Sequence, residues 1–201
     1  MASEPETGHA RRRVKPTRAD LAAAAGRNIP DLIAPGLRVL FCGINPSLYS
    51  AATGHHFARP GNRFWPALHR SGFTPRHLHP DDQAELLEHR LGITNLVDRV
   101  TTRADELTAD ELVAGGRLLV AKVRRFRPEW VAVVGVTAYR SAFAARGARL
   151  GQQPDGLGGA RLWVLPNPSG LNAHHTPATL AEAFAELRGA VPRQAGDQSW
   201  S

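Results

Sequence analysis

The chain has 201 residues, 42% hydrophobic and 21% charged, which suits one ordinary domain with a packed core and rules out disorder over most of its length. A single cysteine, Cys42, excludes an internal disulfide and any four-cysteine zinc or iron-sulfur site, and no apolar run is long enough to span a membrane. Twenty-five basic residues, all arginine except Lys15 and Lys122, stand against 18 acidic ones, so an acidic partner fits the net charge of +7, as does a GC-rich genome that favours arginine.

Residues 1–30 are read as a basic, mostly disordered arm. Arg11, Arg12, Arg13, Lys15, Arg18 and Arg27 there exceed Glu4, Glu6 and Asp20. The run Ala22–Ala25 is too short for a signal-peptide core, and the acidic residues oppose a transit peptide, so a cytoplasmic, nucleoid-associated protein is expected. The domain proper is placed at 31–192, and 193–201 reads as a polar tail ending near Trp200.

Within the domain, Arg38–Cys42 (RVLFC) is an apolar run closed by Gly43, and it predicts a strand buried on both faces. Helices are expected near Arg63–Ser71 and Asp82–His89, followed by a weaker strand at Ile93–Val97. Thr108 and Glu111 have capping-box spacing, and Leu112, Leu119, Val123 and Phe126 then share one helix face. Trp130–Val134 and Leu162–Leu165 predict two more strands, and Thr176-Pro177 opens a helix with the stripe Leu180, Phe184, Leu187 and Val191. Strands separated by helices imply a parallel sheet covered on both faces, whose ligand crevice lies beyond the carboxyl ends of the strands.

Two strand ends carry the same dipeptide. Gly43-Ile44-Asn45-Pro46-Ser47-Leu48 follows the first strand and Pro166-Asn167-Pro168-Ser169-Gly170-Leu171-Asn172 follows the last. Proline biases its predecessor toward an extended backbone, so each Asn-Pro presents an amide at a stiff angle, suited to a base edge or a bound water. Either motif alone also fits an ordinary turn. Gly43-Ile44-Asn45 lacks dinucleotide-binding glycine spacing, and no Walker lysine follows a glycine-rich loop. The pairs His55-His56 and His174-His175 have no accompanying carboxylate spacing, so no metal is expected. Gly54–Trp65 (GHHFARPGNRFW) mixes aromatic, histidine and arginine side chains, a blend that stacks on bases and holds phosphates, or that anchors a helix.

Taken together, GINPSL at 43–48, GHHFARPGNRFW at 54–65, LVDR at 96–99, AGGR at 114–117 and NPSGLN at 167–172 resemble, in order and spacing, the mismatch-specific uracil-DNA glycosylase and thymine-DNA glycosylase family. The resemblance spans roughly Leu32 to Val191. It implies a three-layer α/β/α sandwich with a central mostly parallel sheet, the uracil-DNA glycosylase fold. It further implies a monofunctional glycosylase acting as a monomer without cofactor on double-stranded DNA, with uracil mispaired with guanine as the central substrate. On this reading Asn45 orients the attacking water, Ile44, Ser50, His56, Phe57 and Asn167 surround the extruded base with Phe57 stacked on it, and His56 or nearby backbone donors stabilise charge on the departing base. Leu171 is the wedge that fills the vacated stack, while Ser169, Gly170 and Asn172 face the opposite strand. Asp98 in LVDR either activates water or balances the developing cation, or else orders its loop by pairing with Arg99 or Arg103.

The chain departs from the family in four places. Ser47 stands where glycine is usual, Asn95 where a lysine is frequent in bacterial relatives, and Leu171 is followed directly by Asn172-Ala173-His174-His175 with no arginine among them. His55-His56 resembles the thymine branch whereas NPSGL resembles the uracil branch. An amide is no general base near neutral pH, so two readings follow: a slow enzyme working by positioning, or a mismatch- or lesion-binding protein of the same fold with little turnover. A nucleoside hydrolase is a third, opposed by the wedge loop and basic surface.

Overall fold

A computed structural model describes residues 15–192 of the chain. Five strands, β1 (Val39–Gly43), β2 (Leu91–Asn95), β3 (Trp130–Val134), β4 (Gly151–Gln152) and β5 (Arg161–Leu165), form one sheet in the order β2-β1-β3-β5-β4. All pairings are parallel except that of the short edge strand β4 with β5. The four long strands lie within about two residues of where their apolar runs predict them.

Alternation along each strand divides the core in two. Val39, Phe41, Ile93, Ala132 and Leu165 point to one face, where α3 (Phe64–Arg70) and α6 (Pro177–Ala190) cover them. Phe41 is fully buried there between Phe64, Phe73 and Phe184, with edge-on and stacked ring contacts. Burying each such side chain contributes about 1.5–3 kcal/mol. Leu40, Cys42, Val131, Val133 and Val164 point to the other face, under α4 (Ala109–Phe126) and α5 (Val136–Ala142). This is the expected three-layer arrangement.

The helix ends follow their sequence signals. Thr108 and Glu111 close a reciprocal capping box on α4, and Thr176 caps α6 with Pro177 in its first turn. Gly115 lets α4 rest on the chain leaving β2, since a Cβ there would sit 2.2 Å from the Leu96 carbonyl oxygen. Between 80 and 87 the predicted helix is a 3-10 helix, Pro80–Leu87, its first turn capped by His79.

Residues 15–30 differ from the expected loose arm. Thr17 and Asp20 cap a short helix, α1 (Arg18–Ala23), and Ala24 and Ile29 are buried against Ala51 of α2 (Leu48–Thr53). Arg11 to Arg13 and the tail 193–201 lie outside the described residues. Among the described residues no helix is long and apolar enough to cross a membrane.

The chain turns from β1 toward β2 on one side and from β3 toward β5 on the other, so the connections diverge between β1 and β3. Loops leaving the carboxyl ends of the strands part there and open a crevice.

Candidate active site

A cavity of about 310 Å³ occupies that crevice. Its walls come from the loop after β1 (Ile44, Asn45), the loop carrying His56 and Phe57, the end of β2 with Thr101 to Asp105, and the loop after β5 (Asn167, Ser169, Leu171). Both Asn-Pro motifs therefore face one chamber.

The loop after β1 is stitched to the loop after β2. Leu96 and Val97 donate backbone N–H groups to the carbonyls of Gly43 and Ile44, and Thr101 donates to that of Pro46. Asn45 adds side-chain bonds: its Nδ2 donates to the Arg99 carbonyl at 2.8 Å and to Thr101 Oγ1 at 2.7 Å. A backbone carbonyl only accepts, which fixes the amide orientation and leaves Oδ1 as the group Asn45 offers the cavity. Arg99 is itself held by Glu111, whose two carboxylate oxygens it bridges. That pairing and the Thr108 cap hold the Glu111 carboxyl down at about 2.

Asn167 is fixed with the opposite polarity. Its Oδ1 accepts the Ser169 backbone N–H at 2.9 Å, so its Nδ2 group is what remains for a ligand. The same loop closes through Asn172, whose side chain donates to the Asn167 carbonyl and whose backbone N–H donates to that of Ser169. Leu171 stands at its tip, 72% exposed on the rim of the cavity.

Phe57 lines the chamber with one ring face stacked on Phe64, centroids 4.0 Å apart. Its φ of 53° is unusual for a bulky residue and costs about 1–3 kcal/mol unless surroundings over-determine it. They do: the His56 N–H donates to Gln83, the His56 carbonyl accepts from Trp65 Nε1, and the Ala58 N–H donates to Ser50 Oγ. Ser50 is buried and thus serves the Phe57 loop directly. Gly43 is required beneath, because a Cβ there would lie 2.5 Å from Asn95 Oδ1 and 3.1 Å from Phe57 Cζ.

His56 is placed differently from the expectation that it stabilises the departing base. It is 2% exposed, and Nε2 lies 3.0 Å from the Pro30 carbonyl, which must receive its proton. Nδ1 is then a bare acceptor facing Asn95 Nδ2 at 3.5 Å. Burial pushes the imidazole below the usual histidine range. A neutral ring whose only N–H is spent on Pro30 has none for a leaving group; it fixes Asn95 and the Phe57 loop instead.

Asp98 does not join the chamber. It is exposed on the loop after β2 and absent from the cavity walls, while Arg99 pairs with Glu111 and Arg103 with Asp105. Asp105 is the one carboxylate among the described lining residues, already paired with Arg103. Ser47, at the departure from glycine, caps α2 by accepting the Ser50 N–H. Asn95 is a wall residue that the motif reading underrated: it is nearly buried, at the end of β2, with its amide on His56. Its position directly after a buried strand was the available signal. Arg59, exposed on the rim, supplies a cation to the chamber wall, whereas residues 172–175 directly after Leu171 include no arginine. Among the described residues no group of three or more His, Cys, Asp or Glu side chains is placed to hold a metal ion.

The model of the family described as the Uracil DNA glycosylase superfamily matches residues 30–188, which includes every wall of this chamber except Ile29. The chain belongs to the uracil DNA glycosylase superfamily. The family is one of DNA glycosylase hydrolases, which act on DNA. Its fold is similar to a solution NMR structure of a "putative Uracil DNA glycosylase" from Methanosarcina acetivorans, at 16% identity and a TM-score of 0.51, over 81% of this chain and 98% of that one. At that identity the likeness speaks for the fold: a parallel sheet with helices on both faces.

Proposed function

We propose that the protein excises uracil from G·U mismatched duplex DNA by hydrolysing the N-glycosidic bond and leaving an abasic site. The observation that carries this is the locked amide of Asn45, a residue that lines the cavity with Phe57 and whose Nδ2 is consumed by Arg99 and Thr101, which leaves Oδ1 as its acceptor.

The extruded uracil stacks on the Phe57 ring, with its polar edge toward the amides of Asn95 and Asn167. Extrusion costs a few kcal/mol and costs least at a mispair, which favours G·U over A·U. Leu171 fills the vacated stack, and Ser169, Gly170 and Asn172 approach the guanine opposite. The bond between the sugar C1′ and uracil N1 breaks through an oxocarbenium-like transition state, its electron pair leaving on uracil. A water held by Asn45 Oδ1 adds to C1′ and releases its proton to solvent. Uracil is a stabilised anion, so departure needs little acid assistance. With no unpaired carboxylate among the described wall residues, rate enhancement comes from positioning and preorganised dipoles. Asp98 has no role in this step.

The test is alkaline cleavage of labelled duplexes holding one G·U, A·U or G·T pair, run with a chelator present. Cleavage at G·U exceeding that at A·U is the expected result, and cleavage at G·T would extend the substrate to thymine. Tight G·U binding without cleavage would replace the enzyme by a lesion-recognition module of the same fold.

A further inference from the structure

Arg63 holds the wedge loop from a distance in sequence of more than a hundred residues. One terminal nitrogen donates to the Ser169 carbonyl at 2.6 Å and to the Asn172 carbonyl at 2.9 Å, and the other donates to the His175 carbonyl. Its backbone N–H donates to the Pro168 carbonyl at 2.9 Å. Four carbonyls of the segment 168–175 thus converge on one residue, two on each side of Leu171. The planar guanidinium suits such divergent acceptors, which an ammonium cannot match with one geometry.

The same place shows a second contact between the two loops. A Cβ on Gly170 would lie 2.6 Å from the Gly61 carbonyl oxygen, so the wedge loop rests directly on the chain entering α3. Arg63 immediately precedes Phe64, and Phe64 stacks on Phe57. Wedge tip and base platform are therefore joined through two adjacent residues.

We infer that Arg63 is a positioning residue that fixes Leu171 relative to the Phe57 platform, so that duplex penetration and base capture occur as one rigid-body event. This rests on the excision reading above. Arg63 touches neither the base nor the reacting atoms; it acts by keeping the exposed tip ordered before DNA arrives, which spares the ordering cost at binding. It matters only when a base must be pulled from a stack.

The test compares two substrates, a G·U duplex and the same uracil inside an unpaired bubble, where no wedge is needed. Arg63→Met keeps the aliphatic stem and removes every side-chain donor. It should lower kcat/KM on G·U by about tenfold or more, as expected for losing charged hydrogen bonds, while the bubble substrate changes by less than about threefold. Arg63→Lys should recover only part of the G·U loss. Arg63→Gln keeps part of the donor set and should show the same selective loss to a smaller degree, so the inference is testable even if Arg63→Met folds poorly. Equal losses on both substrates in all three variants would overturn the positioning role alone. A wild-type protein that cleaves neither substrate would overturn the excision reading and this inference with it.

Discussion

Asn45 and Arg99, 54 residues apart, are joined by a hydrogen bond of fixed polarity, Asn45 Nδ2 donating to the Arg99 carbonyl at 2.8 Å. Under the proposed excision, the bond accounts for how an amide can serve where a carboxylate is absent. It spends the donor on the protein and keeps the acceptor for a water. It also argues against substituting a carboxylate, since Asn45→Asp would press an anionic oxygen on that carbonyl. Excision by Asn45→Asp at neutral pH should therefore stay below wild type, and a variant faster than wild type would show that positioning is not the limiting contribution.

The Arg99–Glu111 pair supports that geometry from outside. Glu111→Gln leaves the Thr108 cap partly intact but removes the bidentate partner of Arg99. The pair is solvent-exposed, so little change in folding stability is expected. Excision should fall several-fold through kcat, which single-turnover kinetics would read. An effect confined to KM would assign the pair to DNA binding instead.

Gly43→Ala tests the floor of the chamber. The added methyl meets Asn95 Oδ1 and Phe57 Cζ, and overpacking of this kind costs about 1–3 kcal/mol. The expected result is a folded, less stable protein with its uracil affinity reduced much more than its affinity for undamaged duplex. Parallel loss of both would place the strain elsewhere.

Strands and most helices were legible because their signals are local. Trp130–Val134 was predicted at its observed bounds, and the Thr108–Glu111 box marks the start of α4. Both Asn-Pro loops stood out because each follows an apolar run, and parallel topology brings such ends together. What escaped prediction depends on partners remote in sequence. The tautomer of His56 is decided by Pro30, and Asp98 was set outside by the turn after Asn95. The Arg63 clamp is invisible in any motif, since backbone carbonyls have no sequence signature. The helix α1 was passed over because its Thr17–Asp20 cap lies within a basic run.

Histidine burial gives the fold an acid sensitivity above the carboxylate range. His56 and His55 are both held below the ordinary value of 6.5, chiefly by desolvation. The unfolded chain protonates these sites first, so their contribution is complete above that value and is lost as pH falls through the lower folded pKa values. Glu111 has the same sign in a lower window, between 4.5 and about 2, but its exposure to solvent keeps that contribution small. Melting temperature should drop as pH falls below 6.5, and His56→Gln should flatten that drop. An unchanged slope in His56→Gln would mean that the imidazole pKa does not change on folding.

Rim and floor should separate cleanly in salt titrations. Arg59→Gln removes an exposed cation beside the cavity and should reduce the slope of log affinity against log salt by about 0.9 on duplex DNA, with kcat unchanged. An unaltered slope would remove Arg59 from phosphate contact.

The central claim, that a locked Asn45 carbonyl directs water at the sugar of an extruded uracil, is tested most directly by single-turnover excision on a G·U duplex with wild-type protein and Asn45→Ala, with binding to the same duplex measured in parallel. Excision that falls by about 10²-fold or more while binding stays within a few-fold is the predicted result. Undiminished excision by Asn45→Ala would contradict it.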